Sequence, residues 1–206
     1  WASEMCIRDR CYQDFNDIRS QFYASSEWAS GYPAATGIGT QHGGILVDFN
    51  AVKGGIEIIP LDNDWQRAAH VYSDEVLISH RTDAEKGTPK FERGKSLSDH
   101  QQEMIYISGT AAIRGEESIV TGDVLVQTEI TLENIQHLIG LEEGREKLPE
   151  HSGKLELLRV YLKHEEDAKI VKEDMDKLCP DVPIVYLYAD VCREELLVEI
   201  EGIAYL

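Results

Sequence analysis

Basic residues are scarce in this chain compared with acidic ones. Of its 206 residues, 20 are lysine or arginine and 38 are aspartate or glutamate, which gives a formal net charge of -18. A surface with this excess of negative charge repels phosphate backbones and anionic membrane surfaces. The composition therefore argues against nucleic-acid and membrane partners and favours an enzyme that acts on a small molecule.

Cysteine is rare too, and the four cysteines, at positions 6, 11, 179 and 192, show no paired CxxC spacing. Four are too few for a disulfide-stapled scaffold, which favours a reducing compartment. The sequence has no run of 18 apolar residues and no secretory signal pattern, so we expect a cytoplasmic, soluble protein. The seven histidines are scattered without HExxH or comparable spacing, and we predict no metal and no other cofactor.

The first ten residues, WASEMCIRDR, resemble translated adapter sequence of the kind that contaminates assembled environmental reads. We therefore interpret residues 1–10 as non-native and leave them out of the fold prediction. On this interpretation the native sequence begins near Cys11, and the chain is an N-terminally truncated fragment. Residues 11–95 are interpreted as the C-terminal part of a first domain with its linker, and residues 96–206 as the catalytic domain.

From about residue 100 the apolar pattern alternates between strands and helices. It predicts strands at 104–107, 119–120, 155–163, 184–188 and 196–204, and helices from Asp123 to Gly140 and over 165–178. Residues 155–163 carry apolar side chains on both faces, which is typical of a central strand. This order predicts an α+β fold, with one sheet and both helices packed on one face, preceded by part of a second, related domain.

Residues 11–99 are less regular. We predict strands at 44–52 and 56–60 and a long polar loop at 83–103. The glycines of YPAATGIG (32–39) suggest a phosphate-binding loop only superficially, because the Lys-Ser/Thr ending and a long following helix are missing. This segment is predicted instead to form a tight turn beside the site, with Tyr32 and Thr36 as polar contacts.

The segment ADVCREELLVEIEG (189–202) places Glu199 and Glu201 on one face of the last strand. Apolar neighbours would desolvate Glu199 and raise its pKa, and the nearby charge of Glu201 would add to this effect, as a general acid requires. The same alternation also fits two acids on a solvated sheet face. Cys192 lies beside Arg193, which would favour a thiolate if the side chains approach each other, but a buried structural cysteine fits equally.

Several motifs together resemble those of the chorismatases, two-domain relatives of the Rid (YjgF-like) fold, which is shared with a class of chorismate mutases. They are YPAATGIG (32–39), NDWQRAAHVY (63–72), TPKFERG (88–94), SGTA (108–111), GDVLVQTE (122–129) and ADVCREELLVEIEG (189–202). The resemblance implies cofactor-free cleavage of chorismate with loss of pyruvate, giving a cyclohexadiene diol or a hydroxybenzoate. It also implies a homo-oligomer, a trimer as in Rid proteins.

The resemblance carries over to particular residues. Glu199 stands in the place of the family's general acid, as the first acid of VEIE. Cys192 stands seven residues earlier, where members that release 3-hydroxybenzoate have a cysteine, and Ala111 belongs to the same product switch. The resemblance therefore favours 3-hydroxybenzoate as the product.

Chorismate has two carboxylates, so its site needs paired cations, preferably arginines with their bidentate fork. The candidate substrate-binding residues, besides Ala111, are Tyr72, Arg81, Arg93, Arg159, Tyr161 and Arg193. Arg159 lies in the predicted central strand, where its charge needs an acid such as Glu199 or a ligand. Arg81 and Arg93 lie in predicted loops, where simple solvation is the alternative.

Two departures from family patterns bear on the function. Rid imine deaminases carry an arginine fifteen residues before the strand glutamate, where this chain has Ile184, which disfavours imine deamination. Residues between Tyr72 and Pro89 differ from the chorismatase pattern, which leaves the exact substrate open. The alternatives are therefore a Rid-type enamine or imine deaminase and a non-catalytic module that binds a small carboxylate.

Overall fold

The structure, a computed structural model, describes residues 2–25, 27–39, 47–77, 87–99, 101–140 and 154–206, with side chains from Gln13 onwards. Within these ranges the helices are α1 (Ala2–Ala24), α2 (Val124–Ile139) and α3 (Ala168–Leu178). The strands are β1 (Glu57–Leu61), β2 (Gly94–Ser98), β3 (Glu103–Thr110), β4 (Ile113–Arg114), β5 (Glu117–Ser118), β6 (Lys154–Leu162), β7 (Ile184–Tyr188) and β8 (Val198–Tyr205). Short 3-10 helices cover Ala69–Val71 and Glu165–Asp167.

Six of the strands form one sheet in the order β1-β2-β3-β8-β6-β7. All neighbours are antiparallel except β6 and β7, which run parallel and are connected through α3. The predicted central position of β6 is confirmed, because it lies between β8 and β7. The strands β4 and β5 form a separate two-stranded hairpin.

The ends of α2 follow from two side-chain and backbone features. Asp123 caps its start by accepting hydrogen bonds from the backbone N–H groups of Leu125, at 2.9 Å, and Val126, at 3.4 Å. Gly140 ends the helix at φ 79°, a left-handed conformation that glycine adopts without steric cost. Both predicted limits are therefore confirmed.

The main core lies between the helices and one face of the large sheet. Alternate residues of β6 and β8 that face α2 and α3 are fully buried: Leu158, Val160, Leu162, Val198 and Ile200. The helices contribute Ile135 and Met175, both fully buried. This arrangement confirms the predicted α+β class with two helices on one face, and it leaves the other face of β8 for Glu199 and Glu201.

Four segments differ from the sequence prediction. The predicted strand at 119–120 is absent, and these residues directly follow β5. The predicted polar loop at 83–103 contains β2, whose residues GKSLS lack a strand-like apolar pattern but pair with β1 on one side and β3 on the other. Residues 47–52 of the predicted strand 44–52 form no strand, and residues 44–46 lie outside the described ranges. The helix α1 was not predicted, and it begins within the first ten residues.

The predicted domain limit between residues 95 and 96 falls inside β2. Because β1 and β2 pair into the same sheet as β3 and β8, that sheet contains residues from both sides of the limit. The cavity described below also draws residues from both parts.

Candidate active site

A cavity beside the open face of β8 contains about 760 Å³ of empty space, including the part that is open to solvent. Six of the nine residues predicted for the site line it: Tyr72, Arg93, Ala111, Cys192, Arg193 and Glu199. They come from the segments before β2 and β8, from the end of β3 and from β8 itself. The structure therefore brings together residues that are up to 127 positions apart in the sequence.

Glu199 is the buried acid of this cavity, with 5% of its surface exposed. Burial raises its pKa from the ordinary 4.5 to about 8, the charge of Glu201 adds to the rise, and Cys192 and Arg93 oppose it. Its Oε2 atom is buried and has no hydrogen-bond partner among the described residues. At neutral pH the site therefore holds a protonated carboxyl group with an unused oxygen.

Gly109 makes room for this carboxyl group. A Cβ atom built on Gly109 would overlap Oε1 of Glu199 and would lie 2.8 Å from the Thr36 methyl group. The backbone N–H of Gly109 donates a hydrogen bond to the Thr36 hydroxyl at 2.9 Å. The predicted polar contact from YPAATGIG is thus present at Thr36, while the segment itself runs extended and forms bridges at Ala34 and Gly39 instead of a tight turn.

The thiol of Cys192 lies beside the Glu199 carboxyl group, close enough to act on its pKa as a hydrogen-bond donor would. Burial raises the pKa of the thiol to about 12, Glu199 adds to the rise, and the nearby Arg193 and Arg93 only partly oppose it. Of the two alternatives for Cys192, the thiolate is disfavoured: desolvation outweighs the nearby cations, and the group is a neutral thiol.

Two arginines lie against the ring of Tyr72. The guanidinium carbon of Arg93 lies 5.5 Å from the ring centre, and that of Arg193 lies 5.4 Å from it. Arg93 is 3% exposed, and its Nη2 donates to the backbone oxygen of Arg67 at 2.7 Å and to the Tyr72 hydroxyl, while its Nε has no partner among the described residues. Arg93 is thus a buried cation, and the alternative that it is a solvated loop residue does not hold.

Arg193 is held by two oxygens of the β5 region. Its Nη1 donates to the backbone oxygen of Glu116 at 2.8 Å and to the Ser118 hydroxyl at 3.0 Å. Neither arginine forms an ion pair with a carboxylate of the described residues. A buried, uncompensated guanidinium is costly unless an anion meets it, so both arginines suit a site for an anionic ligand.

The helix α1 provides a wall of the cavity that sequence reasoning missed. Gln13, Asn16 and Arg19 line it at intervals of three residues, and Asn16 is 1% exposed. The helix is fixed by Gln13 Nε2, which donates to the backbone oxygen of Gly87 at 3.1 Å, and by the N–H of Gly87, which donates to Asp17 at 3.0 Å. The sequence contains a signal for this helix face, because these three polar residues recur at helical spacing.

The remaining predicted site residues lie elsewhere. Arg159 and Tyr161 do not line the cavity, because both donate hydrogen bonds to Glu201 Oε1 at 2.7 Å. Arg159 therefore pairs with an acid, as expected, but with Glu201 and not with Glu199. Arg81 lies outside the described residues.

The described part of the chain contains no group of three histidine, cysteine, aspartate or glutamate side chains arranged to hold a metal ion. None of the helices within the described ranges is both long enough and apolar enough to cross a membrane.

Comparison with known proteins identifies relatives over most of the chain. A chorismatase of Streptomyces rapamycinicus is 35% identical over 179 residues, which are 83% of this chain and 50% of that protein. A 3-hydroxybenzoate synthase of Streptomyces hygroscopicus is 32% identical over 206 residues, which are 93% of this chain and 56% of that protein. The chain thus spans about half the length of the curated relatives it matches.

A crystal structure of a chorismatase has the same fold, with a TM-score of 0.71 and 28% identity, over 93% of this chain and 57% of that one. A comparison with descriptions of known protein families found no match. The resemblance predicted from the six motifs is confirmed by the named relatives and by this structure.

Proposed function

This chain is a homologue of the chorismatases, and we propose that it releases pyruvate from chorismate and forms a hydroxybenzoate, with 3-hydroxybenzoate favoured. The observation that carries the proposal is the buried Glu199 carboxyl group, whose pKa is raised to about 8, in a cavity that three arginines line. A cationic cavity in a chain with a net charge of -18 is unexpected unless its ligand is an anion. The names of the relatives support the choice of chorismate among such anions.

The two carboxylates of chorismate match the cations of the cavity. Arg93 and Arg193 both lie against the ring of Tyr72 and are buried, so an incoming carboxylate meets guanidinium groups that are already desolvated and oriented. Arg19 reaches the same cavity from α1. We assign substrate binding to these three arginines and to Tyr72, and not to Arg159 and Tyr161.

Glu199 then acts as the general acid. The enol ether of chorismate is cleaved after its methylene carbon receives a proton, which creates an oxocarbenium ion on the adjacent carbon. A carboxyl group with a pKa of about 8 still carries its proton at neutral pH, and its unpartnered Oε2 is available for the transfer. The resulting carboxylate lies beside the cation and stabilises it.

Water completes the cleavage. It adds to the oxocarbenium carbon and returns a proton to Glu199, which gives a hemiketal. The bond between the hemiketal carbon and the ether oxygen on the ring then breaks as the hemiketal hydroxyl proton passes to that oxygen. The products are pyruvate and a ring diol. Loss of one water from the diol yields the hydroxybenzoate. The cleavage consumes one water and the dehydration releases one. Chorismate therefore contains the same atoms as pyruvate and the hydroxybenzoate together.

The neutral thiol of Cys192 lies directly beside this chemistry. A thiol with a pKa of about 12 is a poor nucleophile at neutral pH, so we propose that Cys192 steers the intermediate towards the aromatic product rather than attacking it. Its position beside the carboxyl group also opposes the rise of the pKa of the proposed acid.

The experiment is a coupled assay of pyruvate release from chorismate by the purified chain, with the aromatic product identified by chromatography. Activity is expected from the wild type, and Glu199→Gln is expected to lose at least about a hundredfold in kcat, the size typical of a lost general acid. Glu156→Gln, which changes an exposed glutamate of β6, is the matched control and is expected to retain full activity. Binding of chorismate without pyruvate release would indicate the non-catalytic module instead, and ammonia release from an enamine would indicate the deaminase.

The assembly and the location remain predictions. We propose a homotrimer, as the Rid resemblance implies, and a cytoplasmic location, as the cysteine content implies. Sedimentation velocity of the purified chain distinguishes a trimer from a monomer.

A further inference from the structure

Arg159, Tyr161 and Glu201 form a hydrogen-bonded cluster next to the proposed acid. Both Arg159 Nη1 and the Tyr161 hydroxyl donate to Glu201 Oε1 at 2.7 Å. The pairing of β6 with β8 places Arg159 opposite Glu201 and Tyr161 opposite Glu199. A carboxylate that accepts two hydrogen bonds, one of them from a guanidinium, is held in a fixed position.

We infer that Glu201 is a positioning residue for Glu199, and that Arg159 and Tyr161 hold Glu201 in place instead of contacting the substrate. This inference rests on the proposed function for its catalytic consequence, because it concerns the residue that donates the proton. Its structural part, the coupling between two carboxyl groups, stands on the geometry alone.

The geometry favours direct coupling between the two acids. Residues two apart in a strand point to the same face, with backbones roughly 7 Å apart. Glu201 is only partly buried, but Glu199 is 5% exposed, so its carboxyl group is surrounded mainly by protein. The charge of Glu201 therefore acts on Glu199 with little screening and disfavours loss of its proton, in agreement with the raised pKa of that group.

Other charged and titratable groups face the pair from neighbouring elements. On the cavity side these are Cys192 and Arg193 from the segment before β8, and Arg93 from the segment before β2. On the sheet side these are Arg159 and Tyr161 of β6, with Asp48 facing Arg159. Glu199 thus lies between cations that favour its ionised form and one fixed anion that favours its protonated form. Glu201 is the group that opposes the arginines.

This arrangement resolves a conflict between binding the substrate and keeping the acid protonated. The arginines that attract a dianionic substrate also favour ionisation of the acid, which would remove the proton that the reaction needs. A fixed anion on the far side of the acid offsets that effect without facing the substrate. Glu201 is suited to this role because its carboxylate is turned towards Arg159 and Tyr161.

The test is a 13C NMR titration of the glutamate carboxyl groups, with the Glu199 signal identified by its loss in Glu199→Gln. Glu201→Gln is expected to lower the titration midpoint of Glu199 by about one pH unit, since one nearby charge is removed at constant shape. Arg159→Gln is expected to shift the midpoint in the opposite direction, because the charge of Glu201 is then less compensated. Glu156→Gln, the exposed glutamate of β6, is expected to leave it unchanged.

Opposite shifts in the two variants distinguish electrostatic coupling from loss of structure, which would move both midpoints towards the value of an exposed glutamate. An unchanged Glu199 midpoint in folded Glu201→Gln would overturn the inference. If Glu201→Gln does not fold, the Arg159→Gln titration decides, and an unchanged midpoint in that variant would overturn it equally.

The pH dependence of pyruvate release supplies the catalytic readout. In Glu201→Gln the fall of kcat at high pH is expected to begin about one pH unit lower than in the wild type, while KM changes less than twofold. If the wild type releases no pyruvate, the proposed function fails, but the NMR titration still tests the coupling of the two carboxyl groups.

Discussion

The thiol of Cys192 lies beside the carboxyl group of Glu199, seven residues later in the chain, and acts on the pKa of that group. Burial raises the pKa of the thiol to about 12 and that of the carboxyl group to about 8. Both groups therefore carry their protons at neutral pH. The cavity presents two neutral proton donors beside a cluster of permanently charged arginines.

Replacement of Cys192 by alanine tests its influence on the product. The missing sulfur atom leaves space and removes a polar neighbour next to the intermediate, which makes access of water easier. We expect Cys192→Ala to shift the product from hydroxybenzoate towards the diol, with total pyruvate release falling less than about tenfold. Chromatography of the products measures the ratio, Cys179→Ala is the control with a cysteine outside the cavity, and an unchanged ratio would contradict the assignment.

The raised pKa of Glu199 predicts a pH dependence of both activity and stability. The acid form is needed for catalysis, so kcat is expected to fall as the pH rises through about 8. Because the folded-state pKa lies above the ordinary 4.5, the folded protein retains a proton that the unfolded chain has lost, and stability falls as the pH rises from about 4.5 towards 8.

Glu199→Gln removes that titration. We therefore expect this variant to gain stability relative to the wild type between pH 5 and pH 9, by on the order of a few kcal/mol. Urea unfolding at the two pH values measures the difference. A constant difference between the two proteins would show that Glu199 titrates as an ordinary exposed glutamate.

Arg93 is expected to contribute mainly to substrate binding. Lysine keeps the positive charge but loses the planar fork and the contacts with Tyr72, so Arg93→Lys is expected to raise KM by about tenfold or more with a smaller change in kcat. Steady-state kinetics with chorismate provides the measurement. Arg67→Lys is the matched control, because Arg67 is half exposed and pairs with Glu116. Equal effects in the two variants would argue against a binding role for Arg93.

Gly109 is expected to tolerate no side chain. The methyl group of Gly109→Ala would occupy the position of the Glu199 carboxyl group and would press on Thr36, so the acid must move. We expect at least about a hundredfold loss of kcat, comparable to removal of the acid itself. Gly54→Ala, where an added methyl group meets open space at a backbone φ of 68°, controls for the cost of replacing a glycine. Retained activity in Gly109→Ala would place the acid elsewhere.

Capping residues and apolar patterns in the sequence predicted one helix and the buried strands. The ends of α2 follow from Asp123 and Gly140, and the apolar residues of β6 and β8 identify strands that are buried on the helix side. The polar strand β2 was missed because its pairing with β1 and β3, and not its composition, makes it a strand. The helix α1 was missed although Phe15, Ile18 and Phe22 recur at helical spacing. In the structure this apolar stripe is exposed and the polar stripe lines the cavity, the reverse of the usual amphipathic arrangement.

The site residues that lie in recognisable motifs were predictable from the sequence. Glu199, Cys192 and Arg93 lie in motifs that resemble those of the chorismatases, and the structure places all three at one cavity. For Arg159 the sequence left the partner open between an acid such as Glu199 and a ligand, because strand alternation shows which face a side chain occupies but not which of two acids it meets. The register between β6 and β8 supplies that information.

The position of β8 has a consequence for folding. This strand follows the other five strands of the sheet in the chain, yet it lies between β3 and β6. Until β8 is in place, the chain has two partial sheets with unpaired inner edges, and unpaired edges of this kind favour association between chains. Because β8 also carries Glu199, the step that joins the two partial sheets is the step that delivers the proposed acid. A molecule that has failed to complete its sheet is therefore also a molecule without this activity.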